Sequence, residues 1–194
     1  VEVLTGADLL HVPHNHAPVF APHNTVVTIH DAMFLSYYEE HLHNASNTDA
    51  VLWLARNCNT VITCSQSSKN DLVAYGGVDP ENIHVIHWGF DSSLFYHEQD
   101  HRAVLDFLLQ QFDLAAPYFF SVSCDIGRKS SPEVVEQFLR LADEEPQHQL
   151  VMVWSHPPET VLAKVASHPQ GHRIRFLCNV TDEDLRYLYN GAAA

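Results

Sequence analysis

Two short segments hold residue types that could do chemistry. In Val26-Val27-Thr28-Ile29-His30-Asp31 an apolar run ends in an imidazole beside a carboxylate. A histidine at such a place can donate to or accept from a sugar or phosphate oxygen, and the aspartate can orient its ring. The same spacing equally lets Asp31 cap a following helix and leaves His30 as a polar strand end. In Cys124-Asp125-Ile126-Gly127-Arg128-Lys129-Ser130-Ser131-Pro132 two cations stand side by side just ahead of a helix start. Arg128 and Lys129, with the free N–H groups of a helix N-terminus, suit an anion. A diphosphate leaving group needs such a cluster, because negative charge grows on it as its bond breaks. The bland alternative is two solvated loop charges. Lys129 is one of only three lysines in a chain of net charge −14.

Two further segments end strands in polar residues. Val61-Ile62-Thr63-Cys64 runs into Ser65-Gln66-Ser67-Ser68, where Ser65 can cap a helix or meet a ligand. Val85-Ile86-His87-Trp88-Gly89 closes on an expected glycine turn. Fifteen histidines raise the question of a metal, and His11-x-x-His14-x-His16 and His41-x-His43 are the densest groups. No H-E-x-x-H occurs and no cysteine joins them, so no physiological metal site is expected. Cys58, Cys64, Cys124 and Cys178 are scattered, which indicates neither a zinc site nor a disulfide framework. With seven glycines and no G-x-G-x-x-G, P-loop or G-x-S-x-G pattern, NAD and P-loop readings lose their main support.

The elements that must position these residues alternate between strand and helix. Short aliphatic runs at 8–12, 25–30, 60–64, 83–87, 118–123, 150–155 and 173–178 read as buried parallel strands. Helical spacing is read at 47–57, 66–75, 104–112, 132–144, 158–166 and 181–191, with Ser131-Pro132 and Thr181-x-x-Asp184 as start signals. The fold class is therefore α/β, with two Rossmann-like, doubly wound parallel-sheet units and helices on both faces. The units are expected at 1–96 and 114–194, with the polar segment 97–113 as their connection. Each has only three or four strands, where a complete nucleotide-binding sheet usually has about six.

Composition bounds the function. The 194 residues are 46% hydrophobic and 18% charged, enough to bury a core without staples. Ten basic against 24 acidic residues argue against nucleic acid or an anionic lipid surface as the main partner. No apolar run is long enough to span a membrane.

In order along the chain, "DLLHVPHNHAP", "VVTIHDAMFL", "ARNCNTVITCSQSSKNDLVAYGGVDPENIHVIHWGFDSSLF", "PYFFSVSCDIGRKSSPEVVEQFLRL", "LVMVW" and "RIRFLCNVTDEDLRYLYNGA" resemble the glycosyltransferase family 4 (group 1) enzymes of the GT-B fold. Bacterial mannosyl- and rhamnosyltransferases that build surface polysaccharide are the most similar members. The resemblance implies two Rossmann-like domains facing a cleft, with the acceptor on the N-terminal one and the nucleotide-sugar donor on the C-terminal one. It implies hexosyl transfer with retention to a glycan or lipid-linked acceptor, without cofactor or essential metal. It also implies a cytoplasmic place, with peripheral contact at the inner face of a membrane. By this resemblance His30 lies by the donor sugar as the catalytic residue, and Lys129, preceded by Arg128, binds the donor diphosphate. Asp31, Ser65, Gly89 and Ser123 fall on the substrate cleft. Ser123 stands where many members carry an arginine six residues before the lysine, Ser130 where some carry asparagine, and Trp88 where asparagine precedes the glycine. The family's N-terminal Gly-rich loop and its E-x7-E region fall outside these residues, so the chain reads as an internal fragment that alone does not turn over. The competing reading is a non-catalytic, GT-B-derived binding or assembly module.

Overall fold

A computed structural model describes residues 7–15, 24–36, 45–115, 117–124 and 129–194. The chain divides into two compact units, Val1–Gly89 and Phe90–Ala194.

In the first unit the order is β1 (Leu10–Val12), β2 (Thr25–Ile29), α1 (Met33–Ser36), α2 (Ala45–Asn57), β3 (Thr60–Thr63), α3 (Gln66–Ala74) and β4 (Ile83–Val85). The four strands form one parallel sheet in sequential order, with Val27 opposite Val61 and Val61 opposite Ile83. That register puts Val27, Ile29, Val61 and Ile83 on one face. There they meet Val51, Leu54 and Ala55 of α2 and Leu72 of α3 in one buried core. Each such side chain contributes about 1.5–3 kcal/mol by leaving water. All helical residues of this core lie on that single face, so the expected covering of both faces is not seen among the described residues here. Helix α3 starts where its sequence says it should. Ser65, at φ −147° and ψ 154°, accepts from the Ser68 N–H at 3.1 Å. The turn after α3 passes through Gly77 at φ 65°, a conformation that side chains with a Cβ rarely adopt.

The second unit contains α4 (His101–Phe112), β5 (Tyr118–Val122), α5 (Ser131–Leu141), β6 (Gln149–Val153), α6 (Glu159–Ser167), β7 (Ile174–Leu177) and α7 (Asp182–Gly191). Its strands are parallel in the order β5-β6-β7. Strand alternation along β6 builds two cores. Leu150 and Met152 pack with Val135, Phe138, Val161 and Ile174, which brings α5 and α6 onto one face. Val151 packs with Val104, Leu108, Tyr118 and Leu188, which brings α4 and α7 onto the other. After α7 the chain extends at Ala192 (ψ 144°). Ala193 then donates to the Tyr118 carbonyl, and Phe120 donates to the Ala194 carbonyl, both at 2.9 Å. The Pro117 and Ser123 backbone groups bond β6 and its flank, so Tyr118 and Phe120 face the other side of β5. Residues 193–194 therefore pair with the edge of β5 opposite β6.

Two expectations need correction. Residues 97–113 are not a free connection: Val104 and Leu108, one helical turn apart, are buried against Tyr118 and Leu188. The division falls instead between Gly89 and Phe90. Ser131 is not the cap of α5 but its first residue, buried, with its hydroxyl donating to the Cys124 carbonyl at 3.1 Å. The Thr181–Asp184 capping box forms as the sequence suggests.

Burial pushes the Tyr118 phenol well above its ordinary value of 10.0, and the hydroxyl donates to the Leu188 carbonyl at 2.7 Å. The raised folded-state value means that the unfolded chain loses this proton first. Stability is then fully present below pH 10.0 and falls as pH rises above it toward the folded value. Tyr118→Phe is expected to flatten that alkaline loss while lowering neutral-pH stability by about 1 kcal/mol through the missing hydrogen bond. Urea denaturation at neutral and alkaline pH checks both effects. An alkaline slope unchanged by the substitution would contradict the assignment.

Candidate functional site

The C-terminal ends of β2, β3 and β4 bring together residues far apart in sequence. His30 follows β2 directly, and its backbone is held on both sides. Its N–H donates to Asn15 Oδ1 at 2.9 Å, and its carbonyl accepts from the Cys64 thiol at 2.9 Å. Its ring Nε2 lies 3.0 Å from the Pro13 carbonyl. A carbonyl only accepts, so Nε2 carries the proton, and in the neutral ring Nδ1 is the acceptor. The ring is flanked by His14 and Trp88, each with its centroid 5.2 Å away and tilted by 54° and 59°. His87, at the end of β4, places Nδ1 2.9 Å from the Cys64 carbonyl, which leaves its Nε2 as acceptor in the neutral ring. The result is a half-buried imidazole of fixed tautomer, walled by an indole and a second imidazole. Such a wall can stack on a ring ligand, while the imidazole nitrogens bond hydroxyls.

The other expected residues of this unit have more local roles. Asp31 does not orient His30: its Oδ1 accepts from the Met33 N–H at 3.1 Å, the helix-capping alternative. The reason is geometric, since the His30 ring turns toward Pro13 instead. Ser65 lies one residue beyond Cys64, but its hydroxyl is engaged with the N–H and hydroxyl of Ser68. Gly89 is not at positive φ, and a Cβ built there meets nothing within 4 Å, so no glycine turn is required. Trp88, His14, Asn15 and His87 are the residues that sequence reading did not place at this site. The one available signal was the tryptophan standing in a strand-end position where the resembled family has asparagine.

The second unit has its own strand end. Ser123 continues β5 by donating its N–H to the Val153 carbonyl at 2.9 Å, and its hydroxyl lies 3.2 Å from that of Ser121. Arg128 lies outside the described residues. Lys129 is exposed and pairs with no described residue. Ser130, at φ 48° and ψ 34°, precedes α5 in the left-handed region and gives no side-chain cap. That conformation costs a non-glycine residue about 1–2 kcal/mol. The first N–H groups of an eleven-residue helix thus stand without a side-chain cap from Ser130, next to an ammonium group that pairs with no described residue. Hydrogen-bond donors and positive charge converge there, which suits an anion.

Among the described residues no group of three or more histidine, cysteine or carboxylate side chains converges. His11 Nε2 bonds the Thr28 hydroxyl at 2.9 Å. His16, His41 and His43 lie outside the described residues.

Two α/β units, each with a parallel sheet and polar strand ends, together with a likeness to solved structures, define the GT-B fold class. The family model of Glycosyltransferase Family 4 matches residues 2–94. Among solved structures the chain is similar to HepE of Anabaena in complex with UDP-glucose, at 21% identity and a TM-score of 0.67, over 87% of this chain and 44% of that one. It is similar to WaaG, a glycosyltransferase involved in lipopolysaccharide biosynthesis, at 15% identity and a TM-score of 0.71, over 96% and 52%. The catalytic domain of starch synthase IV from Arabidopsis thaliana, bound to ADP and acarbose, matches at 14% identity and a TM-score of 0.57, over 86% and 44%. The chain therefore spans about half the length of these structures or less. No curated protein sequence matches it. Among the described residues no helix is long and apolar enough to cross a membrane.

Proposed function

We propose that this chain serves a retaining glycosyltransferase that moves a hexosyl unit from a nucleotide-diphosphate sugar to a glycan or lipid-linked acceptor in surface-polysaccharide synthesis. The observation that carries this reading is the match of residues 2–94 to Glycosyltransferase Family 4. The complexes of HepE with UDP-glucose and of starch synthase IV with ADP support a nucleoside diphosphate as the donor's leaving group. In this reading the first unit forms the acceptor side and the second unit the donor side. The work is done in the cytoplasm, at the inner face of a membrane.

The roles follow from the chemistry of the groups. His30 meets the donor sugar, with Nδ1 accepting from a hydroxyl while Pro13 holds Nε2. Trp88 and His14 exclude water from that contact. Lys129, with Arg128 and the open N–H groups at the start of α5, neutralises the diphosphate as the glycosidic bond breaks. Ser65 and Asp31 hold the backbone at the strand ends rather than touch substrate.

Calorimetric titration of the 194-residue chain with UDP, GDP and ADP tests the reading. One of the three is expected to bind more tightly than inorganic phosphate, and its nucleoside without phosphates is expected not to bind. If none exceeds inorganic phosphate, the donor-site assignment fails.

A further inference from the structure

The second unit contains a cavity of about 410 Å³ that the roles above do not use. Its walls include Phe90, Phe95, Tyr96, Arg186 and Tyr189, none of them at the C-terminal end of a strand. The unusual member is Arg186, whose side chain is 8% exposed. Its guanidinium is sandwiched between aromatic rings, 4.5 Å from the centroid of Tyr96 and 4.5 Å from that of Tyr187. Tyr187 in turn stacks on Phe107 at 3.9 Å. Nη1 donates to the Tyr96 hydroxyl, Nη2 lies 3.4 Å from Glu183, and Glu98 stands 4.0 Å away. The Nε–H is buried and has no acceptor. A buried donor left unpaired is costly, which marks the Arg186 position as one that packing alone does not account for.

The wall is also built in advance. Asn190 accepts from the Glu98 N–H at 2.7 Å and donates to the Tyr96 carbonyl at 3.0 Å, which pins that segment to α7. Meanwhile Phe90, Tyr96 and Tyr189 keep 75%, 45% and 55% of their surface exposed. A preformed recess with rigid aromatic walls and few polar groups is the usual build of a small-ligand site.

Charge decides the ligand. Glu98 and Glu183 pair with Arg186 from outside the lining and offset its charge, so the recess has no net positive charge to offer, in a chain of net charge −14. An anion is disfavoured there. A neutral polyol fits: its hydroxyls meet the polar groups of Tyr96, His97 and Asn190 in the lining, and its C–H face lies on the exposed rings. We propose that this recess is a carbohydrate site for a neutral hexose ring of a glycan, distinct from the donor diphosphate site. The proposal rests on the glycosyltransferase reading only for the source of its glycan. Its chemistry stands on Arg186 and the rings.

The test is saturation-transfer NMR on the intact chain with maltohexaose, cellohexaose and mannohexaose, with UDP in a parallel sample. Transfer to the ring protons of at least one oligosaccharide is expected. Phe90→Ala and Tyr189→Ala, both at exposed positions, are each expected to weaken it about fivefold by removing a stacking face. Lys129→Ala is expected to leave it unchanged while weakening UDP. The absence of transfer to all three oligosaccharides, or transfer that survives both aromatic substitutions, would overturn the proposal. If none of UDP, GDP and ADP binds the parent chain while the oligosaccharide does, the donor reading falls and this site stands.

Discussion

Lys129→Ala is expected to weaken nucleoside diphosphate binding by about 10- to 100-fold, the effect of one charge-assisted hydrogen bond of roughly 1.5–3 kcal/mol. The ammonium group is exposed and pairs with no described residue, so it needs no rearrangement to meet a phosphate. It stands beside a helix start whose cap residue, Ser130, offers no side-chain bond. The same freedom means that its removal costs the fold little, and the variant's unfolding midpoint is expected to stay near that of the parent. Lys129→Arg keeps the charge and is expected to retain most of the affinity. Affinity of the parent is expected to fall with added salt, because the contact is solvent-exposed and screened. Calorimetry of the three proteins at two salt concentrations checks this. Equal affinities for the parent and Lys129→Ala would remove the lysine from the site.

The largest expected effect on stability is that of Arg173→Ala, about 3–4 kcal/mol. Arg173 is buried, 8% exposed, just ahead of β7. Its guanidinium donates to the carbonyls of Ala142, Glu145 and His148, the stretch that leaves the end of α5 and enters β6. Nε adds a second bond to His148 at 2.9 Å, and the cation lies 5.5 Å from the centre of the Phe138 ring. One side chain thus serves three carbonyls outside any helix or strand ladder, of which only that of Glu145 has a further backbone donor, the His148 N–H at 3.2 Å. Truncation leaves them short of donors, each at a cost of about 1–3 kcal/mol before water relieves it. Arg173→Lys cannot reproduce the planar fork and is expected to recover only part of the loss. Urea denaturation of the three proteins is the measurement. A loss below 1 kcal/mol for the alanine variant would show that water replaces the guanidinium freely.

The strands were readable because a buried parallel strand must be apolar along its whole length and must stop at polar residues. Val26–Ile29, Val61–Thr63 and Leu150–Val153 satisfy that condition on their own. Helix α7 was readable from Thr181 and Asp184, because a capping box is a local arrangement. What failed was long-range. Residues 91–100 look like a linker by composition. They are held by Arg186 and Asn190, about ninety positions away in sequence. Val104 and Leu108 likewise look like one face of a lone helix until Tyr118 and Leu188 are folded against them.

The candidate site divides the same way. That His30 ends a strand could be read from its own segment. Its tautomer could not, since Pro13 lies 17 residues earlier. The pairing of Asp31 with His30 was the attractive local idea. It lost to a nearer donor, the Met33 N–H two residues on. Gly89 was assigned to a turn by its residue type alone, and the backbone there does not need glycine. Trp88 reaches His30 from the end of a different strand, two places across the sheet.

The central claim is that a nucleoside diphosphate seats at the end of β5 against the start of α5. Backbone amide shift mapping with UDP, or with whichever diphosphate binds, tests it most directly. The largest changes are expected at Ser123, Lys129 and Ser130 and in the first turn of α5, with little change at His30, because the free nucleoside diphosphate carries no transferable hexose. Changes centred anywhere else in the chain, with Lys129 and the start of α5 undisturbed, would contradict the claim.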